Sequence, residues 1–138
     1  MFGDLQERRE APEGCYEFIL PYAAHGLPSD EGTRAGGQVR EFLNRAAKAV
    51  DGLAESFAAS IQEGGLEPAV KYRAFLAVLD RDARDSLAAL EMVLAQPVIS
   101  SQLIDNLNAS IHLHALLTDM SLVGEIMGKQ HSVVKPRE

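Results

Sequence analysis

Residues 100–127, SSQLIDNLNASIHLHALLTDMSLVGEIM, are the stretch that decides the fold. Ser100 or Ser101 can cap a helix here, and apolar residues then recur at helical spacing as far as Met127. Projected at about 100° per residue, the apolar residues of the first half share one face: Leu103, Ile104, Leu107, Ile111 and Ala115. Those of the second half share the opposite face: Leu113, Leu116, Met120, Val123 and Met127. The apolar stripe changes sides, which predicts a helix that is covered on two faces.

Two further helices are predicted upstream. Over residues 34–63, apolar residues at steps of four and three line one face: Val39, Leu43, Ala46, Val50, Leu53, Phe57 and Ile61. Over residues 67–95, the same spacing joins Tyr72, Leu76, Leu79, Ala83, Leu87, Leu90 and Leu94. The outer face of this second helix carries Asp80 with Arg84, and Arg81 with Asp85, as i,i+4 pairs that are typical of a solvated surface.

Short connections between three long helices predict an all-α fold, an up-down-up bundle of antiparallel neighbours over residues 34–127. Prolines and glycines punctuate residues 1–33, which are therefore predicted to be an irregular, partly extended arm. Residues 128–138 are predicted to be a polar tail. At 138 residues, the chain fits a single domain of ordinary size.

Composition narrows the classes of partner. The formal net charge of −7 argues against non-specific binding to nucleic acid or to anionic lipid. The single cysteine, Cys15, excludes an intramolecular disulfide and is expected to act as a small apolar side chain. Without a signal peptide or an apolar run of membrane-spanning length, we expect a cytoplasmic protein that binds neither nucleic acid nor membrane.

A polar strip continues the first-half apolar face into the second half of the last helix. It consists of His114, Thr118, Ser121 and Glu125. Two interpretations are open: a buried polar site with shifted pKa values, or a helix that rotates its buried face and turns the strip to water. The usual exposure of His and Glu favours the second. A different face holds Asp105, Asn108, His112 and Asp119, and is predicted to be solvated.

His114 and Thr118 stand one turn apart, a spacing similar to that in the dimerisation helices of sensor histidine kinases. The acidic residue that usually follows that His is replaced by Ala115. The sequence predicts no metal site, since His112 and His114 lie about 200° apart on a helix. His114 and Glu125 are separated by about 16 Å along the helix axis, which is too far for both to bind one metal ion. No cofactor is predicted.

The sequence favours a non-catalytic interaction or regulatory protein that self-associates through its last helix, by default as a two-fold homodimer. Its candidate interface is the second-half apolar face of residues 113–127. Another protein could be a further partner. One alternative is a small-molecule-binding or phosphotransfer protein, with His114 as base or phosphoacceptor and Glu125 as a charged contact. The other is an acidic assembly or secretion chaperone that holds an apolar segment in an open groove.

Overall fold

A computed structural model describes residues 2–65 and 67–134, and the side chains within residues 6–65 and 67–126. The described chain is all-helical, as predicted, and contains no strand. Its helices are α1 (Phe2–Ala24), α2 (Arg34–Val50), α3 (Leu53–Gly64), α4 (Ala69–Leu94), α5 (Ser101–Ala109) and α6 (His112–Val134). None of these helices is both long enough and apolar enough to cross a membrane.

Helix α1 occupies most of the segment that was predicted to be an irregular arm, so that prediction is wrong for Phe2–Ala24. Pro12 and Pro21 lie inside the helix, where each lacks the N–H that would bond the carbonyl four residues earlier. Packing outweighs this loss, because the helix buries a continuous stripe at helical spacing: Pro12, Cys15, Ile19 and Tyr22.

Two of the three predicted long helices are each divided into two. Residues 34–63 form α2 and α3, which meet at Gly52 in the left-handed conformation with φ 76°. Residues 100–127 divide between α5 and α6, and Ile111 between them has φ 63°. Only the middle prediction, residues 67–95, is met by one unbroken helix, α4. The up-down-up bundle of three long helices is therefore replaced by a six-helix arrangement in the described chain.

The end of the chain also differs from its prediction. The polar tail was predicted to begin at residue 128, but α6 continues to Val134. A polar sequence does not by itself prevent a helix, since an element already packed along one face can extend beyond its core contacts. Residues 135–138 of the predicted tail lie outside the described residues.

The core consists of two clusters of buried side chains. The first joins α1, α2, the end of α4, α5 and the start of α6: Cys15, Ile19, Tyr22, Val39, Leu43, Ala46, Leu90, Val93, Ile99, Ile104, Leu107 and Leu113. The second joins α2, α3, the first half of α4 and the middle of α6: Val50, Leu53, Phe57, Leu79, Ala83, Leu116, Met120 and Val123. The late part of α4 thus packs on early α6, and its earlier part on later α6, so these helices are antiparallel.

Candidate functional site

The polar strip predicted on the last helix lies on the solvent side of α6. His114, Thr118, Ser121 and Glu125 are all exposed. The Thr118 hydroxyl donates a hydrogen bond to the His114 carbonyl oxygen at 3.0 Å, a bond within the helix. The His114 ring lies 5.6 Å from the Tyr16 ring of α1, centroid to centroid. The strip therefore forms one edge of the α1–α6 contact and does not enclose a buried polar site.

The predicted interface residues are covered within their own chain. Leu113, Leu116, Met120 and Val123 are each at most 4% exposed and belong to the two core clusters. The side chain of Met127 lies outside the described residues. The prediction that this part of the face is free to bind a partner is therefore wrong. The apolar periodicity correctly indicated a buried face, but the helix that covers it, α4, belongs to the same chain.

A different apolar group is exposed along the line where α4 meets α6. Leu122 is 51% exposed and Ile126, one turn later, is 39% exposed. On α4, Val78 is 46% exposed. The helices are antiparallel, and Asp82 lies against Asp119. One turn back along α4 and one turn forward along α6 therefore lead to the same side of the helix pair, and we infer that Val78 and Leu122 are neighbours there. We call this surface the α4–α6 seam; it comprises Val78, Asp82, Asp119, Leu122 and Ile126.

Two carboxyl groups meet in the middle of the seam. The side chain of Asp119 is partly buried and lies within hydrogen-bonding reach of Asp82. Burial, and then the neighbouring Asp82 carboxyl, raise the pKa of Asp119 to about 7. The Asp119 Oδ2 atom is shielded from water and has no hydrogen-bond partner among the described residues. The prediction that Asp119 belongs to a solvated face is therefore wrong.

A second polar cluster connects the α1–α2 loop to the α4–α5 loop. The Asp30 carboxylate accepts a hydrogen bond from Arg40 Nε at 2.7 Å and another from the Ile99 backbone N–H at 2.8 Å. Arg40 also donates to the carbonyl oxygens of Leu94, Gln96 and Pro97. Burial alone would raise the pKa of Asp30, but the hydrogen bonds from Ile99 and Arg40 outweigh it and lower that pKa.

Tyr22 and Ser101 extend this cluster into the core. The Tyr22 hydroxyl donates to the Ile99 carbonyl oxygen at 2.7 Å. The Ser101 hydroxyl donates to the Tyr22 carbonyl oxygen at 2.6 Å and accepts from the Leu27 N–H at 2.8 Å. These polar groups satisfy one another, which is the arrangement expected of a structural brace between two loops. We refer to Tyr22, Asp30, Arg40 and Ser101 together as the loop brace.

An open depression of about 400 Å³ lies beside the loop brace, between the α1–α2 loop and the start of α5. Leu27, Ser101 and Asp105 are among its lining residues. The Ser101 hydroxyl already donates one hydrogen bond and accepts another, so its proton is not available to a ligand in this depression. A ligand site normally offers polar groups that converge on the ligand, and here the main one is already bonded to the chain.

Among the described side chains, no group of three or more His, Cys, Asp or Glu residues is placed to hold a metal ion.

Sequence reasoning missed both the loop brace and the seam. Leu122 and Ile126 carried a detectable signal, since they follow Ala115 at helical spacing and belong to neither half of the predicted stripe. The contact between Asp82 and Asp119 carried none, because it depends on how two helices are placed in register.

Comparison of the chain with protein-family models, with curated proteins and with solved structures finds no significant match.

Proposed function

We propose that this chain is a non-catalytic helical interaction protein that self-associates through its last helix, at the α4–α6 seam. The observation that carries this proposal is the exposure of Leu122 and Ile126 one turn apart on α6, together with that of Val78, which the helix register puts on the same side of α4. Scattered exposed apolar residues are normal on a protein surface, whereas a contiguous apolar group is typical of a surface that contacts another protein.

The buried part of α6 supports the choice of surface. Leu116 and Met120 of α6 pack in one core cluster with Leu79 and Ala83 of α4, so the seam lies over a formed helix–helix contact. Preorganised surfaces lose little conformational entropy on association. A second copy of the chain is the default partner, because two-fold homodimers are the commonest closed assemblies.

Sedimentation velocity at micromolar concentration tests the proposal. Wild-type protein is expected to sediment as a dimer, and the double variant Leu122→Glu with Ile126→Glu as a monomer. Leu20→Glu on α1, where Leu20 is 43% exposed, is the control for placing a glutamate at an exposed leucine outside the seam, and it is expected to remain dimeric. Substitutions at Leu116 or Met120 are unsuitable because they would disrupt the core.

Two outcomes would contradict the proposal. A wild-type monomer throughout the micromolar range would remove self-association, and a dimer that survives both seam substitutions would remove the seam as its interface. The phosphotransfer or small-molecule function at His114 and the chaperone function stay predictions from sequence, with no specific contact that favours either.

A further inference from the structure

The carboxyl pair in the α4–α6 seam has a property that does not depend on self-association. Asp82 and Asp119 approach each other across two helices, and each belongs to a different one. Two ionised carboxylates offer only acceptors to each other, so their close contact is unfavourable. If one is protonated, its O–H donates to the other carboxylate and the contact becomes a short, charge-assisted hydrogen bond.

The surroundings of the pair favour a shared proton. The next residue on α4 after Asp82 is the core residue Ala83, and the next on α6 after Asp119 is the core residue Met120. Val78 and Leu122 lie one turn away along the seam. Partial burial between the two helices weakens solvation of a second negative charge, and the Asp119 Oδ2 atom is shielded from water.

The charged groups near the pair on α4 and α1 are exposed or contact other residues. On α4, Arg84 is bound by Asp80 at 2.9 Å, Glu55 of α3 also acts on Arg84, and Arg81 and Asp85 are exposed neighbours of Asp82. From α1, the Arg9 guanidinium packs on Gly124, about 140° around α6 from Asp119.

Within α6, His114 and Glu125 project more than about 100° from Asp119. His112 shares the face of Asp119 but lies two turns earlier, about 10 Å along the axis. On α5, which also packs against α6, Asp105 is exposed and lines the open depression beside the loop brace. The charged group that acts on Asp119 is therefore Asp82, and it has the same sign.

We propose that Asp82 and Asp119 form a proton-dependent latch between α4 and α6, closed when one proton is shared and loosened when both groups are ionised. The direction of the pH dependence follows from the difference in proton binding between the folded and the unfolded chain. The pKa of Asp119 is raised above its ordinary value of about 4, so the folded chain holds a proton that the unfolded chain has released. The stability of the α4–α6 contact is then highest at acid pH and falls as pH rises to about 7.

The latch is tested by following the Asp119 carboxyl carbon by NMR through a pH titration of the wild-type protein, with the association state at the NMR concentration measured by sedimentation at each pH. Its titration midpoint is expected near pH 7. In Asp82→Asn, the amide donates to the Asp119 carboxylate, so the midpoint is expected to fall towards the ordinary value. Asp85→Asn, an exposed substitution one turn along the same helix, is the matched control and should leave the midpoint unchanged.

Amide hydrogen exchange in α4 and α6 gives an independent readout. Exchange protection of wild-type α6, relative to that of Asp119→Asn, is expected to fall between pH 5 and pH 8 after correction for the intrinsic pH dependence of exchange. An Asp119 midpoint at the ordinary carboxyl value in the wild-type protein would overturn the latch. So would equal pH dependence of protection in wild type and Asp119→Asn. Either result leaves the self-association proposal standing, because that proposal is tested by Leu122 and Ile126.

Discussion

The Arg40 guanidinium holds the Asp30 carboxylate at 2.7 Å in a pair whose acid is only 9% exposed. Its exposed counterpart is the pair of Arg84 and Asp80, at 2.9 Å within α4. The two pairs have similar lengths but different surroundings. Burial and the additional bond from the Ile99 N–H make the first a structural contact, whereas solvent screening leaves the second with little effect on stability.

Asp30→Ala is therefore expected to lower the free energy of unfolding by about 3 kcal/mol, because it leaves the Arg40 Nε–H and the Ile99 N–H without their acceptor. Asp80→Ala, the matched control, is expected to change it by about 0.5 kcal/mol or less. Urea denaturation followed by circular dichroism measures both. Equal losses in the two variants would contradict the structural role of the loop brace.

The Asp30 carboxylate also makes the free energy of unfolding depend on pH in the acid range. The pKa of Asp30 is lower in the folded chain than in the unfolded chain, so its contribution is complete above the unfolded value of about 4. It is lost as pH falls through the folded pKa. Denaturation of wild type and Asp30→Asn at a series of acid pH values should converge as the acid is protonated. A difference that stays constant down to pH 2 would contradict this contribution.

Gly36 and Gly37 are neighbours in α2, but only Gly36 lies where a side chain would collide with another part of the chain. A Cβ at Gly36 would overlap the Asp30 carbonyl oxygen, whereas a Cβ at Gly37 meets nothing within 4 Å. Gly36→Ala is expected to destabilise the chain by about 2 to 3 kcal/mol through forced displacement of the α1–α2 loop. Gly37→Ala is expected to stabilise it by up to about 1 kcal/mol through helix propensity. Thermal unfolding of both variants would reveal the opposite signs, and a shared sign would count against the packing of Asp30 on α2.

Ile111 is a β-branched residue in the left-handed region, with φ 63°, and its side chain is 64% exposed. Ile111→Gly is expected to stabilise the chain by about 0.5 to 1 kcal/mol, because relief of the steric cost exceeds the added entropy of the unfolded chain. Ala88→Gly, at an exposed position in the regular part of α4, is the control and should destabilise by about 1 kcal/mol. Chemical denaturation distinguishes them. Destabilisation by Ile111→Gly would argue against a strained break between α5 and α6.

Cys15 is fully buried, and burial raises the pKa of its thiol to about 12. The thiolate is the reactive form, so iodoacetamide at pH 8 is expected to label the folded protein far more slowly than the protein in urea. Mass spectrometry of timed samples gives both rates. Rapid labelling of the folded chain would show that α1 opens from the core more readily than its packing implies.

Periodicity predicted the part of the fold in which packing and local preference agree. Helix α4 has an unbroken apolar stripe and no interior Gly or Pro, and its prediction is confirmed within a few residues. Helix α1 was missed because Pro12 and Pro21 were interpreted as breaks, although the buried spacing of Cys15, Ile19 and Tyr22 is helical. Tertiary burial outweighed an unfavourable local signal.

The division at Ile111 explains the most unusual feature of the sequence. The apolar stripe changes sides because α5 and α6 are separate helices, and their rotations about their own axes are independent. The projection of residues 100–127 as one helix therefore joined Asp105 and Asn108 of α5 to a face of α6 that carries His112 and Asp119. Neither Ser110 nor Ile111 is a residue that usually ends a helix, so the change of stripe was the only local sign of the break.

The loop brace also bears on the order in which the chain folds. Asp30 and Ile99 are 69 residues apart in sequence, and Tyr22 and Ser101 are 79 apart. Contacts of such long range require closure of a long loop, which slows folding relative to a bundle held by neighbouring helices. During synthesis, the α1–α2 loop leaves the ribosome well before Ser101 exists. Asp30 and Leu27 in that loop can form their hydrogen bonds with Ile99 and Ser101 only after α4 and the start of α5 have been made.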